Sequence, residues 1–155
     1  LKNSILDFSE NIKNNIINKF CKNGVNRNQV IILERTKSII EHYESYKKID
    51  VALDTFPYPG VTTSFESILM GVPVLTMKGF NLNSRCGESI IRNLNLTELI
   101  ADNERDYVEK AIALQDEKNL IKISGLNLRD KALSSPLFDT DSFIKDFEKI
   151  MLNLV

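Results

Sequence analysis

The sequence predicts an α/β domain, a parallel sheet with helices on both faces. Three observations point there. Short apolar, β-branched runs alternate with segments whose apolar residues recur at helical spacing. The runs Val30–Leu33, Val51–Leu53 and Val72–Met77 are apolar almost throughout, the pattern of strands covered on both faces. Hydrophobic residues make up 43% of the 155, enough for one domain to bury a core, so residues 1–155 read as a single domain.

Each element follows from its local pattern. Ile5, Leu6, Phe8, Ile12, Ile16, Ile17 and Phe20 predict a helix over 5–23, stopped by Asn23-Gly24. Val30–Leu33 predicts a buried strand, and Ile39, Ile40, Tyr43 and Tyr46 a short helix over 38–48. Val51–Leu53 is a second strand, ended by the turn-rich Phe56-Pro57-Tyr58-Pro59-Gly60. A helix over 62–70 ends at Gly71. Val72–Met77 is a third strand with Pro73 at its edge. Ser84 is placed to cap a helix over 85–94 that buries Ile90, Ile91 and Leu94, and a short strand follows at Leu99-Ile100. Helices over 104–114, 117–134 and 140–154 complete the chain. The last sets Phe143, Ile144, Phe147, Ile150, Met151 and Leu154 on one face. Such alternation makes a parallel sheet with right-handed connections.

Composition excludes several classes. Twenty basic and 21 acidic residues give a net charge of −1, with no long block of like charge. That argues against a nucleic-acid-binding tail or a polybasic membrane anchor. No apolar stretch reaches transmembrane length. Cys21 and Cys86 lie far apart without metal-ligand spacing, which fits a reduced, cytoplasmic protein. The chain begins with Leu1 rather than Met and carries no signal-peptide pattern, so it reads as a piece of a longer protein.

The chemistry concentrates between Asp54 and Glu66. The chain leaves a strand, turns at two prolines and a glycine, and enters a helix. Ligands in parallel α/β sheets bind beyond the carboxyl ends of strands. The first amides of a helix lack internal partners and sit at the positive end of its dipole, a natural diphosphate site. Gly60 lets backbone approach closely, and Thr62 and Thr63 add hydroxyl donors. Glu66, one turn on, is placed to accept from both hydroxyls of a ribose. The alternative is structural: Thr63-x-x-Glu66 is also a capping box, using both side chains inside the helix. The run is neither a glycine-rich dinucleotide fingerprint nor a P-loop.

Elsewhere the residues leave alternatives open. His42, the single histidine, is a nucleotide contact or an ordinary helix residue, and nothing gathers near it for a metal site. Asp54 is functional or bonds turn amides. Arg85 meets a phosphate or pairs with Glu88 along its helix.

The run from Asp50 through Gly60, with Thr62-Thr63, Glu66 and Met70–Thr76, resembles the C-terminal lobe of O-GlcNAc transferases, glycosyltransferase family 41. The similarity continues through Ser84–Ser89, Glu98–Ala101, Asp106–Val108 and Ser135–Leu137, and covers most of the chain from about Glu41. The resemblance implies a GT-B enzyme of two Rossmann-like lobes, of which this is the donor-binding one, lacking its first strand and helix. It implies inverting transfer without a metal or other cofactor, with a nucleotide sugar as donor and a protein as acceptor. Gly60, Thr62 and Thr63 would wrap the diphosphate, Glu66 would hold the ribose, His42 would lie against the nucleotide, and backbone near Lys37 would face the base. Val61 departs from the family, which carries His or Thr there. Ile39 stands where the family has a lysine. The family's phosphate-contacting catalytic lysine, the acceptor lobe and the tetratricopeptide repeats fall outside this sequence.

Three readings follow. The chain is the donor lobe of a protein O-glycosyltransferase using UDP-GlcNAc, or GDP-fucose. It is a nucleotide-sugar-binding module without catalysis. Or it is a structural lobe whose capping box is only that. An unpaired sheet edge is an association hazard, which makes a homodimer a candidate state.

Overall fold

The computed structural model describes residues 9–116 and 126–154. They fall into two compact units divided between His42 and Tyr43.

The first unit is built on α1, Glu10–Lys22. Ser9 accepts from the Ile12 amide at its start. Gly24 at φ +87° ends it, with Val25 N–H on Phe20 O and Gly24 N–H on Cys21 O. That is a Schellman stop, and a residue without Cβ suits its left-handed position. The strand expected at Val30–Leu33 does not form. Leu33 alone makes a bridge, and Ile31 is 68% exposed. β-Branched residues favour a strand only where a pleated surface exists to receive them, so propensity alone does not make one. Helix α2, Ile39–Glu44, starts behind Ser38, whose hydroxyl accepts from the Glu41 amide.

The second unit holds the sheet. Strands β1 (Ala52–Leu53), β2 (Val74–Met77) and β3 (Ile100–Ala101) lie in that order, all parallel. Ala52 is in register with Val74, and Thr76 with Ile100. Val74, Leu75 and Thr76 are each at most 2% exposed. Successive strand residues point to opposite faces, so helices cover both sides of β2. β2 starts after Pro73, which has no N–H for a ladder, though its carbonyl accepts from Ala52. β3 starts one residue late because a 3-10 turn takes up Thr97–Leu99.

Helix α3, Thr62–Leu69, ends as expected at Gly71, φ +81°, with Val72 N–H on Ser67 O. Helix α4, Cys86–Asn93, ends the same way with Asn95 at φ 52°. Ser84 is not its cap. It lies within a 3-10 turn, Asn83–Arg85, and its hydroxyl accepts from the amides of Phe80 and Asn81. Helices α5 (Glu104–Ala113), α6 (Leu126–Leu133) and α7 (Thr140–Leu152) follow. The N-terminal half of the helix expected over 117–134 lies outside the described residues. The core gathers Ile68, Val74, Leu75, Ile90, Ile91, Leu94, Leu99, Ile100 and Leu128. The apolar face of α7 stays open, with Phe143 65% and Ile150 59% exposed. Among the described residues no helix is long and apolar enough to cross a membrane.

One buried charge anchors α4. The Glu88 carboxylate, 2% exposed, accepts from Arg85 Nε at 2.8 Å and Arg92 Nε at 2.8 Å. Arg85, at the N-cap of α4, therefore pairs with Glu88 of the helix it precedes. Burial alone would raise the Glu88 pKa, but the two guanidiniums outweigh it and hold it below 4.5. A carboxylate shifted downward contributes stability above its ordinary value and loses it as pH falls through the folded one. Glu88→Gln should cost roughly 1–2 kcal/mol at neutral pH, limited by the half-exposed arginines. In urea melts the gap from wild type should close as the pH falls below 4.5; a gap that widens in acid contradicts the assignment.

Candidate functional site

The site is built from the end of β1. Asp54 donates its own N–H to Leu75 O, continuing the ladder. Its side chain then turns back into the loop. Oδ1 accepts from Gly60 N at 2.7 Å and Thr55 N at 3.1 Å, and Oδ2 accepts from Thr76 Oγ1 at 2.9 Å. Tyr107 of α5 donates to the Asp54 carbonyl at 2.8 Å. One carboxylate thus joins both ends of the loop to the central strand. Partial burial raises its pKa, opposed by the bonds from Gly60, Thr76 and Thr55. Of the two roles open for Asp54, bonding turn amides is the one the geometry shows.

Two glycines make room. A Cβ at Gly87 would overlap the Thr76 hydroxyl and the Asp54 carboxylate, so α4 approaches the pair only because that position is bare. A Cβ at Gly60 would overlap the Thr63 hydroxyl. Ahead of Gly60, the Thr55 hydroxyl donates to Tyr58 O at 2.5 Å. The rings of Phe56 and Phe80 meet edge to face at 6.1 Å.

Helix α3 begins on this support. Val61 stands at its N-cap and no side chain caps it there. The Ser64 hydroxyl donates to the Gly60 carbonyl. Thr62 and Thr63 are exposed on the first turn. The capping box does not form, because Thr63 is already inside the helix and Glu66 lies beyond its first turn. The Glu66 carboxylate instead accepts from Tyr46 Oη at 3.2 Å. Gly60, Thr62, Thr63 and Glu66 are therefore brought together at the carboxyl end of the sheet, around an uncapped helix start.

Lys37 and His42 belong to the first unit. The Lys37 side chain is exposed and its N–H donates to Glu41 Oε2 at 2.8 Å. His42 is half-buried, with its N–H on Ser38 O at 3.1 Å. Among the described residues no three His, Cys, Asp or Glu side chains gather in a group that could hold a metal.

Sequence reasoning missed Tyr46, Thr76 and Tyr107 as members of the site. Tyr46 reads as one more apolar residue of a short helix, since nothing local signals where its hydroxyl goes. The Thr76 hydroxyl is 22 positions from its partner Asp54.

Comparison with known proteins finds relatives of this chain. A family model, glycosyl transferase family 41, matches residues 3–147. A probable UDP-N-acetylglucosamine–peptide N-acetylglucosaminyltransferase SPINDLY of Eustoma exaltatum subsp. russellianum is 34% identical over 139 residues, 90% of this chain and 15% of that protein. Its counterpart in Solanum lycopersicum is 39% identical over 110 residues, 71% of this chain and 12% of that protein. A solved structure of a mutant O-GlcNAc transferase from Thermobaculum terrenum matches with a TM-score of 0.83 and 30% identity, over 92% of this chain and 27% of that one. The sequence thus spans under a third of each, and its α/β architecture is that of the transferase lobe it matches.

The Asp54 geometry predicts different outcomes for two substitutions. Asp54→Ala removes all three acceptor bonds and should cost roughly 1–3 kcal/mol. Asp54→Asn keeps an acceptor for Gly60 and removes a charge that burial disfavours, so its loss should be smaller. Denaturant melts with hydrogen exchange at the Gly60 amide check this; equal losses would mean that the bonds to Asp54 do not hold the loop.

Proposed function

The chain belongs to glycosyltransferase family 41, and from that premise we propose that it forms the donor-binding lobe of a GT-B protein O-glycosyltransferase, holding the diphosphate of UDP-GlcNAc for inverting transfer to serine or threonine hydroxyls of a protein. The observation that carries the reading is the start of α3. Its first amides meet no side-chain cap, two exposed threonine hydroxyls flank them, and a carboxylate stands one turn on.

The chemistry follows from charge. Breaking the bond between sugar and diphosphate leaves negative charge on the phosphate oxygens. Amides at a helix N-terminus, already oriented by Asp54 and Gly60, meet that charge without reorganising. The hydroxyls of Thr62 and Thr63 add donors that rotate to suit the ligand. Glu66 would accept from the ribose and fix the nucleotide along the helix axis. None of these groups is assigned to proton transfer from the acceptor. The chain by itself should bind donor without transferring sugar.

A second reading has its own observation. Val61, 45% exposed at the helix start, offers no polar group to a phosphate. That suits a module which binds nucleotide sugar without turnover.

Calorimetric titration of the chain with UDP and with GDP tests the site. UDP should bind, and Thr62→Ala with Thr63→Ala should weaken it about tenfold or more. Tighter binding of GDP would shift the donor to a guanosine sugar, and no binding of either nucleotide would sink the reading. Measurable sugar transfer by the chain alone would overturn the division of labour.

A further inference from the structure

The Glu66 carboxylate is held by a group outside its own helix. Tyr46 lies in the 3-10 turn Ser45–Lys48, just ahead of β1, and is 8% exposed. Its turn is closed by Ile49 N–H on Tyr46 O at 3.1 Å. The phenol projects onto α3, where Oη donates to Glu66 Oε2 at 3.2 Å and lies 3.5 Å from the Thr63 carbonyl oxygen. It therefore spans the first two turns of the helix that starts the site. Burial first, and then the Glu66 charge, push the phenol's pKa well above its ordinary 10, so it stays a donor across the physiological range.

We propose that Tyr46 is a positioning residue, whose buried phenol pre-orients the Glu66 carboxylate to receive the ribose hydroxyls of the donor nucleotide. This rests on the donor-site reading above. A glutamate has three rotatable side-chain bonds, and a ligand that must freeze them loses affinity. The phenol fixes one carboxylate oxygen, Oε2, so a ligand has fewer side-chain rotations to freeze. Its anchor is rigid, because the turn that carries it leads directly into the sheet.

Comparing UDP with 2′,3′-dideoxyuridine diphosphate, which lacks the diol, tests the role. In the full chain Tyr46→Phe keeps the ring and removes the hydroxyl. Affinity for UDP should fall about three- to tenfold, with affinity for the dideoxy nucleotide unchanged. In a Glu66→Ala background the same substitution should do nothing further. Site-specific 3-fluorotyrosine at position 46, which keeps ring and hydroxyl, should retain the preference for the diol and serves as the second variant. Equal losses for both nucleotides would reduce Tyr46 to a packing residue, as would a fluorotyrosine chain that folds and has lost the preference. No change with either would overturn the proposal alone. Failure of the unaltered chain to bind UDP would instead remove the donor-site reading and this inference with it.

Discussion

The site depends on where the Asp54 carboxylate finds its hydrogen bonds. A carboxylate leaving water needs several donors to offset what it loses, and Asp54 has three. They come from different levels of the fold: the next residue, the far end of the loop, and the central strand. Because all three are needed, the loop has little freedom to take another shape. Tyr107 adds a fourth tie through the main chain and brings α5 into the same arrangement. The loop's geometry is thereby set by the sheet.

Helix α3 inherits that order at both ends. Its start follows Gly60, which Asp54 holds. Its finish is a Schellman turn at Gly71, where the Ser67 hydroxyl also donates to Val72 O at 3.0 Å and Arg129 of α6 donates to Leu69 O at 2.7 Å. The last carbonyls thus have partners, while the first turn is left without a side-chain cap. The asymmetry gives the helix a fixed body and an available N-terminus. Phe65, on its inner side, packs against the core and meets Phe138 edge to face at 6.0 Å.

What the sequence made legible was local. The β-branched run at 72–77, the helix stops at Gly24 and Gly71, and the buried face of α4 all follow from patterns a few residues long. The loop from Asp54 to Glu66 also stood out, since two prolines and a glycine between strand and helix leave few conformations. The errors share a cause. Val30–Leu33 has strand propensity, yet a ladder depends on a neighbour that propensity does not report. Ser84 satisfies the pattern of a cap, but a 3-10 turn in front of α4 gives its hydroxyl nearer amides. Thr63 and Glu66 match a capping box shifted from the real helix start. Tyr46 and Thr76 have no local signal, because their hydroxyls are placed by residues some twenty positions away.

Gly87 shows what such remote placement means for sequence change. Its bare position lets α4 lie against the Asp54–Thr76 pair. Variation at the exposed Thr62 and Thr63 leaves the scaffold standing. Variation at position 87 would displace the Asp54–Thr76 pair and, with it, the loop that Asp54 holds. A mutational map of this lobe would therefore mark Gly87 as sharply as Asp54, and intolerance to substitution would report the scaffold as readily as the surface.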